Sequence, residues 1–358
     1  MQIIKNNIQG KKKKSKMEAK FVISKEKALE QYNKVKEAAD IVSYSSKTNP
    51  KITRILEKET DCMFSIHLTN ELKHISDRSR VIFLAQGWNQ KEIKELTESG
   101  IRNFVVDNEP DLDEFLEFLK NKDIKVNLLL RLKLKENTLK TERYFVFGMK
   151  AETVNKRIKE LRENPKIGQL GIHFHRKTQN MSEWNFKEEL EDALCQNTLK
   201  SIDIMNIGGG LPSEYANTNV NVINQIFVKI KKFRQYLKEK DIKLMIEPGR
   251  FIAAPAGKLV AEIIRIYDNN IIVNASVYNS DMDALIVPVK LKIEGELSKE
   301  EGKPYVIKGI TPCSMDLFRY KAYLKDPKEG DKIVFLNAGA YNFTTNFCDL
   351  EELKTEVE

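Results

Sequence analysis

Between residues 41 and 249, eight short apolar runs alternate with longer amphipathic stretches, and this alternation limits the folds open to the chain. The runs are IVSYSSK (41–47), CMFSI (62–66), RVIFLA (80–85), NFVVD (103–107), KVNLLLRL (125–132), QLGIHFH (169–175), IDIMNIGG (202–209) and KLMIEPG (243–249). Near-continuous apolar runs of this length are what parallel strands buried on both faces require. The intervening segments at 150–164 and 219–240 place apolar residues at i, i+3, i+4 and i+7, a helical period. Eight strand–helix units predict a closed (β/α)₈ barrel spanning 26–262.

After residue 263 the texture changes. The stretches 263–277, 285–297, 303–310 and 331–341 are β-rich, with no comparable amphipathic helix between them. They predict a β domain over 263–358. Residues 1–25 read as a basic tail followed by a short strand near Lys20 that joins that domain.

Bulk properties add exclusions. With 358 residues, 41% hydrophobic and 31% charged, the chain is long enough for two cores and has no run able to cross a bilayer. Four scattered cysteines suggest neither a disulfide framework nor a metal site, and a cytoplasmic location is expected. The net charge of +8 partly reflects Lys11, Lys12, Lys13 and Lys14, a run read as a solvated tail rather than a nucleic-acid arm.

Chemistry-bearing residues collect at the ends of the predicted strands, the face on which barrel enzymes assemble their sites. Lys47 closes the first run, Arg131 nearly closes the fifth and His175 closes the sixth. Gly208, Gly209 and Gly210 close the seventh, and Glu247 with Arg250 follows the eighth. A lysine among apolar neighbours suits a Schiff base, since burial makes its amine nucleophilic. Consecutive glycines let backbone N–H groups approach a phosphate, and Arg250 adds a guanidinium. Glu247 against a pyridine nitrogen would keep it protonated, while His175 stacks on a flat ring. Together these describe a site for pyridoxal phosphate.

In these segments the chain resembles the fold-type III pyridoxal-phosphate decarboxylases, which act on ornithine, arginine, lysine or diaminopimelate. YSSKTNP (44–50) resembles the segment of the Schiff-base lysine, which implies Lys47. GIHFH (171–175) implies His175 as the stacking histidine, and IGGGLP (207–212) the phosphate turn. IEPGR (246–250) implies Glu247 on the pyridine nitrogen and Arg250 on the phosphate. TPCSMD (311–316) resembles the segment with a catalytic cysteine, and NAGAY (337–341) puts Tyr341 at a phosphate contact. The resemblance implies an alanine-racemase-like fold and a head-to-tail homodimer with shared sites, Cys313 and Asp316 crossing from the partner. Cys313 is then the candidate proton donor to the substrate carbon, a buried structural thiol being the alternative.

Two departures stand out. Only Ser314 and Met315 separate Cys313 from Asp316, one residue fewer than the family's spacing. FHRKTQN (174–180) replaces a glycine- and serine-containing segment, leaving Thr178 to reach the phosphate and Arg176 and Lys177 in a substrate-facing loop. Ornithine decarboxylases set an aspartate against the distal ammonium. The simplest register puts Ala275 there, with Asp281 and Asp283 close by, as substrate ligands or as solvated loop acids. Diaminopimelate decarboxylases carry an arginine where this chain has Val287. The expectation is decarboxylation of ornithine, lysine or arginine to a di- or polyamine, with diaminopimelate as the alternative. Alanine racemases are the nearest rival, but they meet the pyridine nitrogen with arginine rather than glutamate. A non-catalytic regulatory homologue is the rival of another class.

Overall fold

The structure is a computed structural model that describes residues 17–134 and 146–358. The lysine run at 11–14 lies outside these residues. Strand β1 (Lys20–Ile23) precedes a barrel of eight parallel strands: β2 (Ile41–Ser45), β3 (Met63–Ile66), β4 (Val81–Ala85), β5 (Asn103–Val106), β6 (Val126–Arg131), β7 (Ile167–His173), β8 (Ile204–Asn206) and β9 (Lys243–Ile246). Each strand pairs with the next, and β2 closes on β9 through Ile41 opposite Met245.

The two faces of each strand go to different cores. Ile82, Val105, Leu129, Ile204 and Met245 form a small cluster of their own, with Ile41, Met63 and Leu84 packed on it. This is the barrel interior. Their sequence neighbours, such as Val42, Phe64, Phe104 and Leu128, join the larger core shared with the helices. Because side chains alternate along a strand, residues two and four beyond each interior residue continue up the inside of the barrel toward its C-terminal mouth.

The predicted helices form at Ala151–Arg162 and Ile223–Lys238, burying Val154, Ile158 and Leu161 in the first and Ile226, Ile230, Phe233 and Leu237 in the second. These positions repeat at the helical spacing that the sequence displays.

The second domain is a mixed eight-stranded sheet. Its strands are β10 (Gly257–Tyr267), β11 (Asn270–Val273), β12 (Lys292–Ile293), β13 (Lys303–Lys308), β14 (Leu317–Leu324), β15 (Lys332–Leu336) and β16 (Lys354–Val357), ordered β12-β15-β10-β11-β13-β14. β1 joins this sheet, pairing antiparallel to β10 and parallel to β16. The expected boundary at 262/263 falls inside β10, whose first residues Gly257–Val260 already pair with β1. Two short helices, Val277–Ser280 and Asp283–Ile286, interrupt the β texture and carry the chain back over the barrel mouth. No helix among the described residues is long and apolar enough to cross a membrane.

Candidate active site

A cavity of about 650 Å³ opens at the barrel mouth, within the ~300–1,000 Å³ common for small-molecule sites. Its wall holds Lys47, Arg131, His175, Thr178, Gly209, Gly210, Glu247, Arg250 and Tyr341, so most of the residues singled out in the sequence converge here.

Lys47 sits two residues beyond β2, in a 3₁₀ turn at Ser46–Thr48 rather than in the strand itself. The turn is pinned on both sides. Asn49 caps the following helix by accepting from Lys51 N at 3.0 Å, and its Nδ2 donates to Gly339 O at 2.8 Å. Tyr341 N donates to Thr48 O at 3.0 Å. Two links from the second domain thus fix where Lys47 stands. Its side chain is open to the cavity but walled by protein elsewhere, and burial, chiefly, lowers its amine below the usual lysine value. That wall governs once the cavity is filled.

Glu247 follows β9 and lies buried on the cavity floor. Its Oε1 accepts from Ser65 Oγ at 2.7 Å and Asn206 Nδ2 at 2.9 Å, and Oε2 faces His173 Nε2 at 3.3 Å. Burial opposes the charge, yet His173 and these donors outweigh it and hold the carboxyl at about 2. Asn206 also accepts from Gly208 N at 2.9 Å, so one side chain joins the carboxylate to the glycine turn.

In that turn Gly208 has φ +64° and Gly210 φ +104°, left-handed conformations that L-residues rarely adopt. His175 Nδ1 accepts from Gly209 N at 3.2 Å. The ring is open to the cavity but walled by protein elsewhere, and that wall, chiefly, pushes it down to about 3, which leaves the imidazole neutral. Arg250 is buried at the rim, forks onto Asp283, and donates to Tyr215 Oη at 3.0 Å and Thr178 Oγ1 at 3.3 Å. Its guanidinium lies 5.0 Å from the Tyr341 ring centroid. Arg131 bonds Asp107 Oδ1 at 3.0 Å.

Other singled-out residues fall elsewhere. Asp283 is buried on Arg250, and the fully buried Asp281 is raised well above the carboxylate range by burial and by Asp283. Neither lines the cavity, so neither meets a substrate ammonium from these positions. Asp316 is buried and accepts from Val277 N, Thr311 N and Thr311 Oγ1, which makes it a loop staple. Cys313 contacts Tyr278 Oη at 3.1 Å and also lies off the cavity within one chain.

Sequence reasoning missed Ser65, His67, His173 and Asn206. A signal was available. Met63-Ser65-His67, Gly171-His173-His175 and Ile204-Asn206-Gly208 each continue the inward parity of their strand.

Residues 19–254 match the family model described as pyridoxal-dependent decarboxylase, pyridoxal binding domain. The chain is 25% identical over 292 residues to a diaminopimelate decarboxylase of Aquifex aeolicus, covering 74% of this chain and 66% of that relative. It is 22% identical to a diaminopimelate decarboxylase of Campylobacter jejuni, over 90% of this chain and 85% of the relative. Among solved structures it superposes on a lysine/ornithine decarboxylase of Vibrio vulnificus with a TM-score of 0.78 at 23% identity, covering 95% and 94% of the two chains.

The residues present fit pyridoxal phosphate. Glu247 would offer an ionised carboxylate to a pyridine nitrogen, and Lys47 an amine to its aldehyde. The Gly209–Gly210 backbone, Thr178 and Arg250 would be the donors for the phosphate.

Proposed function

Because the chain belongs to the family of pyridoxal-dependent decarboxylases and its cofactor is pyridoxal phosphate, we propose that it decarboxylates an α-amino acid whose distal end carries a carboxylate. The observation that carries this is the charge of the cavity. Among the described residues its wall holds five Lys or Arg side chains and one carboxylate, Glu247. A distal ammonium with no carboxylate beside it would meet no acid of this chain there, whereas a distal carboxylate, even one next to an ammonium, faces cations. The named activity of the similar diaminopimelate decarboxylases, whose substrate has such a carboxylate, supports the same class.

When bound, pyridoxal phosphate supplies a ring that accepts the electron pair left at the substrate carbon as CO₂ departs. Glu247 would hold the proton on the pyridine nitrogen, and Ser65 and Asn206 keep Glu247 aimed. Neutral His175 would face the ring without adding charge, and Arg250, Thr178 and the glycine turn would hold the phosphate. Lys47 would be the amine that anchors the cofactor between turnovers. Cys313 of a second chain, in a head-to-tail homodimer of the cytoplasm, protonates the substrate carbon.

Lys177 is the cation best placed for the distal carboxylate. Arg176 is buried between Glu183 and Glu189, whereas Lys177 is 30% exposed and among the described residues bonds Glu183 Oε1, at 2.8 Å. Lys177→Ala should raise KM for diaminopimelate about 10-fold or more, the loss of one charge-assisted hydrogen bond, with little change in kcat. Steady-state CO₂ release measures this, and an unchanged KM removes Lys177 from the substrate site. Val287, at the position of the family's distal arginine, is the observation favouring a basic substrate instead. Turnover of ornithine, lysine or arginine but not diaminopimelate would establish that alternative.

A further inference from the structure

His67 is a residue that the proposed mechanism does not use. It continues the inward parity of β3 and lies on the cavity wall, with Nε2 3.3 Å from Lys47 Nζ. Its Nδ1 is buried without a hydrogen-bond partner and lies 3.9 Å from Glu71 Oε1, about 1 Å beyond a normal hydrogen bond. Glu71 is held in place by two backbone donors on Oε1, His67 N at 2.7 Å and Leu68 N at 3.0 Å. Its Oε2 is also buried without a partner. The chain thus lines up an amine, an imidazole and a carboxyl, with an unpartnered ring nitrogen facing the carboxyl across 3.9 Å and an unpartnered oxygen, Oε2, on that same carboxyl. Fully satisfied buried groups are the norm, and orphans at a cavity are where a moving proton would be accommodated.

We propose that His67 and Glu71 form a proton relay that deprotonates Lys47, so that its nitrogen attacks the cofactor aldehyde. The balance is simple. An N–H bond of the Lys47 ammonium breaks as His67 Nε2–H forms, and His67 Nδ1–H breaks as an O–H bond forms on Glu71. Ammonium and carboxylate become amine and carboxylic acid, and the imidazole is neutral before and after. Protein burial favours this direction at both ends. It lowers the Lys47 amine and raises the Glu71 carboxyl, while burial and the nearby Lys47 push His67 down to about 3. The other titratable groups facing His67 are Glu247 from the end of β9, Arg131 from β6 and His173 from β7. Glu247 favours charge on His67, whereas Arg131 and His173 oppose it. His67 acts on the cofactor only through Lys47, so it is a positioning and proton-carrying residue.

The relay rests on pyridoxal phosphate being the cofactor, and its test separates the two claims. The apoprotein is mixed with pyridoxal phosphate, and formation of the visible band of the Lys47-linked cofactor is followed from neutral pH toward the ordinary lysine value of 10.5. Failure of the unaltered protein to develop the band overturns the cofactor assignment itself. With the band present, His67→Ala should slow its formation about 10²–10⁴-fold at neutral pH, the span typical of a lost acid–base group. The deficit should shrink as pH rises and solvent hydroxide removes the proton instead. Added imidazole should restore the rate saturably, which a packing role would not allow. Glu71→Gln keeps the shape of the side chain and should show the same pH-dependent deficit. Attachment at the unaltered rate in either variant, or a deficit equal at every pH and insensitive to imidazole, overturns the relay.

Discussion

Lys47→Ala abolishes CO₂ release and the visible absorbance of the cofactor-loaded protein, while leaving the melting temperature unchanged. The side chain projects into the cavity and its polar contact is His67 Nε2 at 3.3 Å, so truncation empties space without disturbing packing. The turn that carries it is held by others: the Asn49 cap, the Asn49–Gly339 bond and the Tyr341–Thr48 bond all survive the substitution. A change that removes no buried contact falls in the class costing within about 0.5 kcal/mol. Catalytically the loss is large. Removing one acid–base group typically costs about 10²–10⁴-fold, and Lys47 also supplies the covalent attachment. Retained absorbance and turnover in this variant would remove Lys47 from the mechanism.

The second large effect is at Glu247. Glu247→Gln keeps the volume and an oxygen for Ser65 and Asn206, but loses the charge that faces His173. With a neutral amide beside the pyridine nitrogen the ring is a weaker electron sink, and kcat should fall about 10²–10³-fold, as when one aimed electrostatic group is removed. Cofactor affinity should change far less, because Arg250, Thr178 and the glycine turn are untouched. If kcat and cofactor affinity fall together, Glu247 is scaffolding.

The same residue sets a pH dependence. Its folded value of about 2 lies below the ~4.3 of an unfolded glutamate, so it contributes stability that is complete above that value. That contribution is lost as pH falls from about 4 to about 2. Glu247→Gln therefore lowers the melting temperature at neutral pH and narrows the gap to the unaltered protein in acid.

The barrel was legible because its two cores demand two different patterns at once. Continuous apolar runs marked strands buried on both faces, and the 3.6-residue period in 219–240 marked a helix covering them. The site was legible at residues whose chemistry is unusual for their place, such as Lys47 and Glu247. Ser65, His173 and Asn206 were not, since a small polar residue within an apolar run looks like ordinary variation. Only the parity of each strand, extended to its end, puts them under Glu247.

What depended on pairing across the chain stayed hidden. Asp283 is 33 positions from Arg250, and nothing in 273–288 indicates that its carboxylate turns onto that guanidinium. The position of 262/263 within a strand was hidden for a similar reason. β10 is one long strand, and its first residues read as the tail of the barrel until β1 is seen beside them.

The most direct test of the central claim is to incubate the purified, pyridoxal-phosphate-loaded protein with diaminopimelate, lysine, ornithine, arginine and alanine, measuring CO₂ release and racemisation together. A decarboxylase with Glu247 on the pyridine nitrogen should release CO₂ from at least one of these substrates, diaminopimelate foremost, with racemisation a minor side path. Racemisation without CO₂, or neither from a protein that carries its cofactor, would contradict the account.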